Sequence, residues 1–580
     1  MFIKMGKHKK IIIFFICLAG LAAGIFFAWY DAPYNMHYTV TASTTKANVL
    51  EISAEVSNLI FSKGKKISLY TGDKTVTIKS CIDKNGLSVP AQQTDNSVDF
   101  HLGRGAKATL AYEVQIGALG KHGLRGSISE DYCIFDGGEA FLLPMEFYKA
   151  DYPENKAVIG ELSITMKKRD GWTEAVPYTS IKNVTWADAY DLNNNSFCMG
   201  RFELHSVNSL KIYTLSQSSK GLSGSVQNGI LALYRYYSGL FSFSGKNYNI
   251  ILLPSSDKSG SSIIGGAGTG SVCATFHENN KRDWELLSHR LFHAYFDSIF
   301  RTQEFHCAPR LWFYEGIATY YENYSMRFLP EELRSSLNIQ PEQQFTSLFN
   351  KYLYVRLKDP GLFSLAPMEE EAITKSEDGE AKIEFLHYVQ APLVIWLIEG
   401  LSDRQTQKSD SLLKYLLKNW NRPDRCTDTQ LLSGILGERA EEVYKNYFLS
   451  DTLLPLWGLK DSTYSQKQTL SDLNSIEYDL ASWMTEQPGK YPLEELNLNT
   501  VQKIESRSEF QSAGFSDQQT EQLVRGYSSV INSLLKEYSL RAHICNVPFN
   551  DSELRYKLLS DENNKAKWNA WVEHAAVSPP

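Results

Sequence analysis

Near residue 216 the hydrophobic period of the chain changes, and this change limits what it can fold into more than any other feature. From Tyr38 to about Leu215 apolar residues alternate with polar ones, as in "VLEISAEVSNL", "KTVTIKSCI", "SVDFHLG" and "ATLAYEVQIG". The turn signals "TGDK", "DKNG" and "GRGAK" separate these runs. Short alternating segments bounded by turns predict a β-sandwich, assigned here to residues 36–215. Beyond Ser216 the period is helical: "VQNGILALYRYYSGLF" predicts a helix, "YNIILLP" a strand, and "LLSHRLFHAYFD" and "LWFYEGIATYYENYS" two further helices. "EFLHYVQAPLVIWLIEGL" and "SDSLLKYLLKNW" continue the helical pattern in a domain assigned to 216–460, and a mostly helical region follows over 461–580. The predicted class is α+β, and 580 residues are too many for one core.

The first thirty residues obey neither period. Four lysines in "MFIKMGKHKK" precede an uncharged run from Ile11 to Tyr30. Twenty residues rising about 1.5 Å each span about 30 Å, the thickness of a bilayer core. The lysines predict a cytoplasmic tail at 1–10, the run 11–30 a single membrane anchor, and the bulk of the chain lies outside the cytoplasm. The apolar region of a cleaved signal peptide is shorter, about 7–15 residues, and ends at small residues. This run ends at Trp29 and Tyr30.

Composition narrows the remaining classes. A net charge of −7, with no basic face interleaved with aromatics, argues against a nucleic-acid partner. Eight cysteines, one of them inside the apolar run, are too scattered for a metal knuckle or a disulfide framework.

Chemistry concentrates in "WELLSHRLFHAYFDS". His289 and His293 stand four apart on one helical face, so their rings can meet at a common point. Catalytic zinc takes three protein ligands and keeps a fourth place open. Glu315, on the next helix after 21 intervening residues, is placed to be the third ligand. Asp297, one turn beyond His293, is placed to accept a hydrogen bond from a ligand histidine. Glu285 lies one turn before His289 on the same stripe, too far along the axis to replace a base, and reads as a charge near the helix start.

With "IIGGAGTG", "LLSHRLFHAYFD", "LWFYEGIATYYENY" and "FLHYVQAPLVIWLIE" in this order, residues 38–460 resemble the glycyl aminopeptidase family of gluzincin metallopeptidases. They are more distantly similar to the aminopeptidase N family. The resemblance implies a β-sandwich followed by a thermolysin-like, mainly helical domain. It also implies zinc held by His289, His293 and Glu315, with Tyr388 matching the tyrosine that steadies the tetrahedral intermediate.

Two departures set this chain apart from that family. Where the family carries a glutamate base after the first histidine, this chain has Arg290, which stays protonated and cannot accept a proton. Where the family reads Gly-Gly-x-Glu, with the glutamate gripping the substrate's amino end, this chain reads Gly265-Gly266-Ala267-Gly268. General-base catalysis supplies about 10²–10⁴-fold, so its loss predicts an impaired enzyme. Such a protein would bind a peptide or protein ligand; the alternative is an active zinc metallopeptidase with an atypical base. Arg290 weakens zinc binding by charge repulsion without excluding it.

Overall fold

The computed structural model describes residues 32–449, less 60–61, 118, 121–122, 125, 150–151, 216–221, 243–246, 255–267, 301–310, 342–344, 346–347, 349–364, 366–384, 407–410 and 420–427. The predicted anchor, Gly265, Gly266 and the region 461–580 lie outside the described residues. Among those described, no helix is long and apolar enough to cross a membrane. Contacts divide the chain into two compact units, Met1–Asp283 with His293–Gln303, and Trp284–Phe292 with Glu304–Pro580.

In the first unit the alternating sequence does build strands. Tyr34–Ala42 and Lys107–Gln115 bury every second residue along their length, as a sheet with one face on a core requires. They belong to a six-stranded sheet in which Tyr34–Ala42 also pairs in parallel with Ile159–Lys167. A three-stranded sheet containing Lys65–Tyr70 and a four-stranded sheet containing Tyr132–Asp136 and Ser196–Gly200 close over the same core. Two fully buried tyrosines tie the segment that follows Asp136 to this core. Tyr38 donates to the Leu142 carbonyl at 2.6 Å and Tyr112 to the Ala140 carbonyl at 2.9 Å. Each phenol thus buries a ring without stranding its hydroxyl.

The boundary expected at residue 215 cuts through a sheet. Phe202–Val207 and Leu210–Leu215, read from sequence within the sandwich span, form with Tyr248–Pro254 and Ser271–Phe276 a separate four-stranded mixed sheet, its strands paired in that order. Period-two alternation identifies a strand but not the sheet it joins. The pairing from Leu210–Leu215 to Tyr248–Pro254 is parallel, and the helix Gly224–Leu240 supplies the crossover. Ser223 caps that helix by accepting from the Val226 N–H at 3.2 Å.

A buried polar clamp fixes the start of the last strand of this sheet. Asp191 accepts from the N–H and hydroxyl of Thr269 at 2.6 and 2.7 Å. Asn195 accepts from the Gly270 N–H at 2.9 Å and donates to the Asp191 carbonyl at 2.8 Å. Asp191 lies in the last turn of the helix Trp186–Asn194 and Asn195 follows it directly.

Next comes the histidine helix, Lys281–Ile299, capped by Asn280, whose side chain accepts from the Arg282 N–H at 2.9 Å. From Leu287 to Asp297 every residue except His289 is buried, so the helix is packed on all sides. In the second unit the glutamate helix, Leu311–Ser325, packs against the helix Ala391–Thr406. Glu315 and Tyr324 are its partly open positions among those described.

Candidate metal centre

Helical spacing brings the expected ligands together. The ligand atoms of His289, His293 and Glu315 all lie within 4.8 Å of one another, the one such group of histidine, cysteine and acidic residues among the described residues. Two imidazoles and one carboxylate match the donor set of catalytic zinc sites. Small side-chain movements would bring these atoms to bonding distance from a cation.

His289 shows which of its nitrogens faces the site. Nε2 lies 3.2 Å from Glu315 Oε2, on the ligand side, while Nδ1 lies 2.9 Å from Glu322 Oε2 behind it. Burial alone would lower the pKa of this ring. The hydrogen-bonded carboxylates of Glu315 and then Glu322 outweigh burial and raise it from 6.5 to about 9. A cation entering the triad must displace the proton this raised pKa retains.

Glu322 was missed in the sequence. It stands seven residues after Glu315, about 20° short of two full helical turns, and so on the same stripe of the glutamate helix. Its carboxylate side chain is only 2% exposed. Bonded to Nδ1, it orients the ring and strengthens Nε2 as a donor to metal. Glu322→Gln is therefore expected to weaken zinc binding about 10–100-fold, measured by competition with a chelator. An unchanged affinity would show that the ring is held by packing alone.

Asp297, expected to support a ligand histidine, does not do so through its Oδ1. That residue is buried on the histidine helix, but no hydrogen bond links its Oδ1 to the Nδ1 of His293. Four residues along a helix bring two side chains close without aligning donor and acceptor. Tyr388 does come to the site: its ring centroid is 6.2 Å from that of His289, and the residue is 40% exposed. Arg290 is 9% exposed. Glu285 is half-buried and does not join the convergent group.

At Gly268 there is no room for a side chain. A Cβ there would lie 2.2 Å from Cγ of Asn195 and 2.4 Å from its Oδ1. The residue that clamps Gly270 thus also fills the space beside Gly268.

No protein-family model matches the chain, and neither does any curated protein. Solved structures do. An aminopeptidase N family protein from Idiomarina loihiensis is similar with a TM-score of 0.55 at 13% identity, over 74% of this chain and 78% of that one. An M1 zinc metallopeptidase from Deinococcus radiodurans gives a TM-score of 0.44 at 17% identity, over 73% and 95%. Leukotriene A4 hydrolase from Saccharomyces cerevisiae gives 0.46 at 12% identity, over 95% and 96%. What the first of these likenesses carries is the fold: the chain has a mixed α+β architecture similar to that of an aminopeptidase N family protein.

Proposed function

We propose that this protein is a membrane-anchored, extracytoplasmic relative of the zinc aminopeptidases, resembling the glycyl aminopeptidases in its motifs, that binds peptide or protein ligands and has lost most of its hydrolytic power. The observation that carries the reading is the convergence of His289, His293 and Glu315 around a position whose neighbouring base is replaced by the buried Arg290. Zinc bound to this triad would supply Lewis-acid polarisation of a carbonyl oxygen. His289, oriented by Glu322, and Tyr388, half-exposed beside it, are the groups of this chain that would hold and orient a ligand there. No group at position 290 can take a proton from water, so binding outlasts turnover.

Metal content and peptide turnover of the purified protein test this together. About one zinc per chain, lost in His289→Ala, and no release of amino acids from free-amine peptides are expected. Chelator-sensitive turnover that disappears in His289→Ala would overturn the proposal and establish an active metallopeptidase.

The uncharged run Ile11–Tyr30 behind four lysines supports the anchor. Protease added outside intact cells is expected to degrade the large domain. Resistance until lysis would place the domain inside and refute the topology.

A further inference from the structure

Leu386–Gln390 is wound as a π helix and runs directly into the helix Ala391–Thr406. π turns are rare and usually occur singly within α-helices. Each holds an additional residue, so side chains before it are turned by about 100° relative to an unbroken α-helix. Here the turn buries Leu386, His387 and Gln390, at 2%, 4% and 3% exposure, while Tyr388 is 40% exposed. The exposed ring is the one beside His289, tilted 43° to it.

A second contact fixes this turn to the ligand set. Ala391 is the first residue after the turn, and Gly316 is the residue after Glu315. A Cβ on Gly316 would lie 2.6 Å from Cβ of Ala391 and 3.2 Å from its carbonyl carbon. The glutamate helix therefore reaches its neighbour only because position 316 has no side chain. One close contact sets the register of Glu315 and of the segment that presents Tyr388.

We propose that the π turn and the Gly316–Ala391 contact are positioning devices that hold the Tyr388 phenol in front of His289. There its hydroxyl would serve in the role the family resemblance already gives it, donating to an oxygen of a ligand held at the triad; the positioning is what is new. The donation rests on the reading of the triad as a ligand site; the positioning does not. Val389, partly exposed, is the residue whose deletion would return the turn to α-helical winding at little cost in buried surface.

Two measurements test this. The first is metal-free: nitration of Tyr388 by tetranitromethane, followed by mass spectrometry, in chains whose melting shows that they are folded. Deleting Val389 is expected to change the Tyr388 rate at least fivefold; if that chain does not fold, Gly316→Ala takes its place. An unchanged rate in the folded variant overturns the positioning role.

The second is a mutant cycle on the zinc-loaded protein with acetohydroxamate as probe. Tyr388→Phe and the Val389 deletion are each expected to weaken acetohydroxamate about fivefold, the worth of one hydrogen bond, and the double variant no further. Losses that multiply, or a deletion that binds like the parent, overturn the proposal. A protein that takes up no zinc refutes the metal reading and the ligand role of the phenol, and the nitration result then decides the positioning by itself.

Discussion

Arg290→Glu, loaded with zinc, is expected to cleave peptide amides about 10²–10⁴-fold faster than the parent chain. The guanidinium at 290 cannot accept a proton, whereas a carboxylate between His289 and His293 can. The gain comes with a loss of stability, because Arg290 is 9% exposed and the substitution reverses the charge at a buried position. Removing one partner of a buried charged interaction typically costs about 3–5 kcal/mol. Arg290→Gln carries most of that loss without supplying a base, so the two variants compared at equal folded fraction isolate the chemistry. If the glutamate variant binds zinc and turns over no faster than the glutamine variant, the residue at 290 does not limit turnover. Substrate grip then becomes the limiting factor.

Gly268→Ala is expected to lower the melting temperature by roughly 5–10 °C, from an overpacking cost of about 3 kcal/mol. Its methyl group would enter the space filled by the Asn195 amide, 2.2 Å from Cγ. The amide cannot simply yield, because it holds the Gly270 N–H and the Asp191 carbonyl. Asn195→Ala alone is also destabilising, since a buried N–H left without an acceptor costs about 1–3 kcal/mol. In an Asn195→Ala background the alanine at 268 has room, so its further cost should fall below half. Calorimetry of the two single variants and the double variant checks this. Strictly additive losses would show that position 268 is intolerant for a reason other than Asn195.

The parts of the site visible in the sequence were those joined by short-range geometry. His289 and His293 share a helix face by spacing alone, and the helix with Glu315 follows within a few turns of chain. Glu322 was legible by the same rule, two turns after Glu315, on the helix that carries the carboxylate and not on the histidine helix where Asp297 lies. For Asp297 the spacing sets only the helix face: its Oδ1 is not bonded to His293 Nδ1. The reason for Gly268 lay 73 residues upstream in Asn195, a separation that no local pattern spans. Sandwich strands declared themselves by alternation, whereas the parallel pairing of Tyr34–Ala42 with Ile159–Lys167 is a long-range choice of partner. Partner choice likewise places Phe202–Val207 and Leu210–Leu215 in a sheet with Tyr248–Pro254, beyond the span 36–215 expected for the sandwich.

The packing of Asn195 against Gly268 also bears on what this lineage can become. A single substitution that placed a carboxylate at 268 would meet the amide and pass through an unstable protein. Removing Asn195 first would cost the clamp on Gly270 and gain nothing in return. Each order of change descends before it rises, so the two positions must move together or not at all. A carboxylate can be placed at position 290 in one substitution, but a side chain at 268 cannot be accommodated alone. Position 268 can therefore gain a side chain only together with a change at Asn195, which also holds the Gly270 N–H.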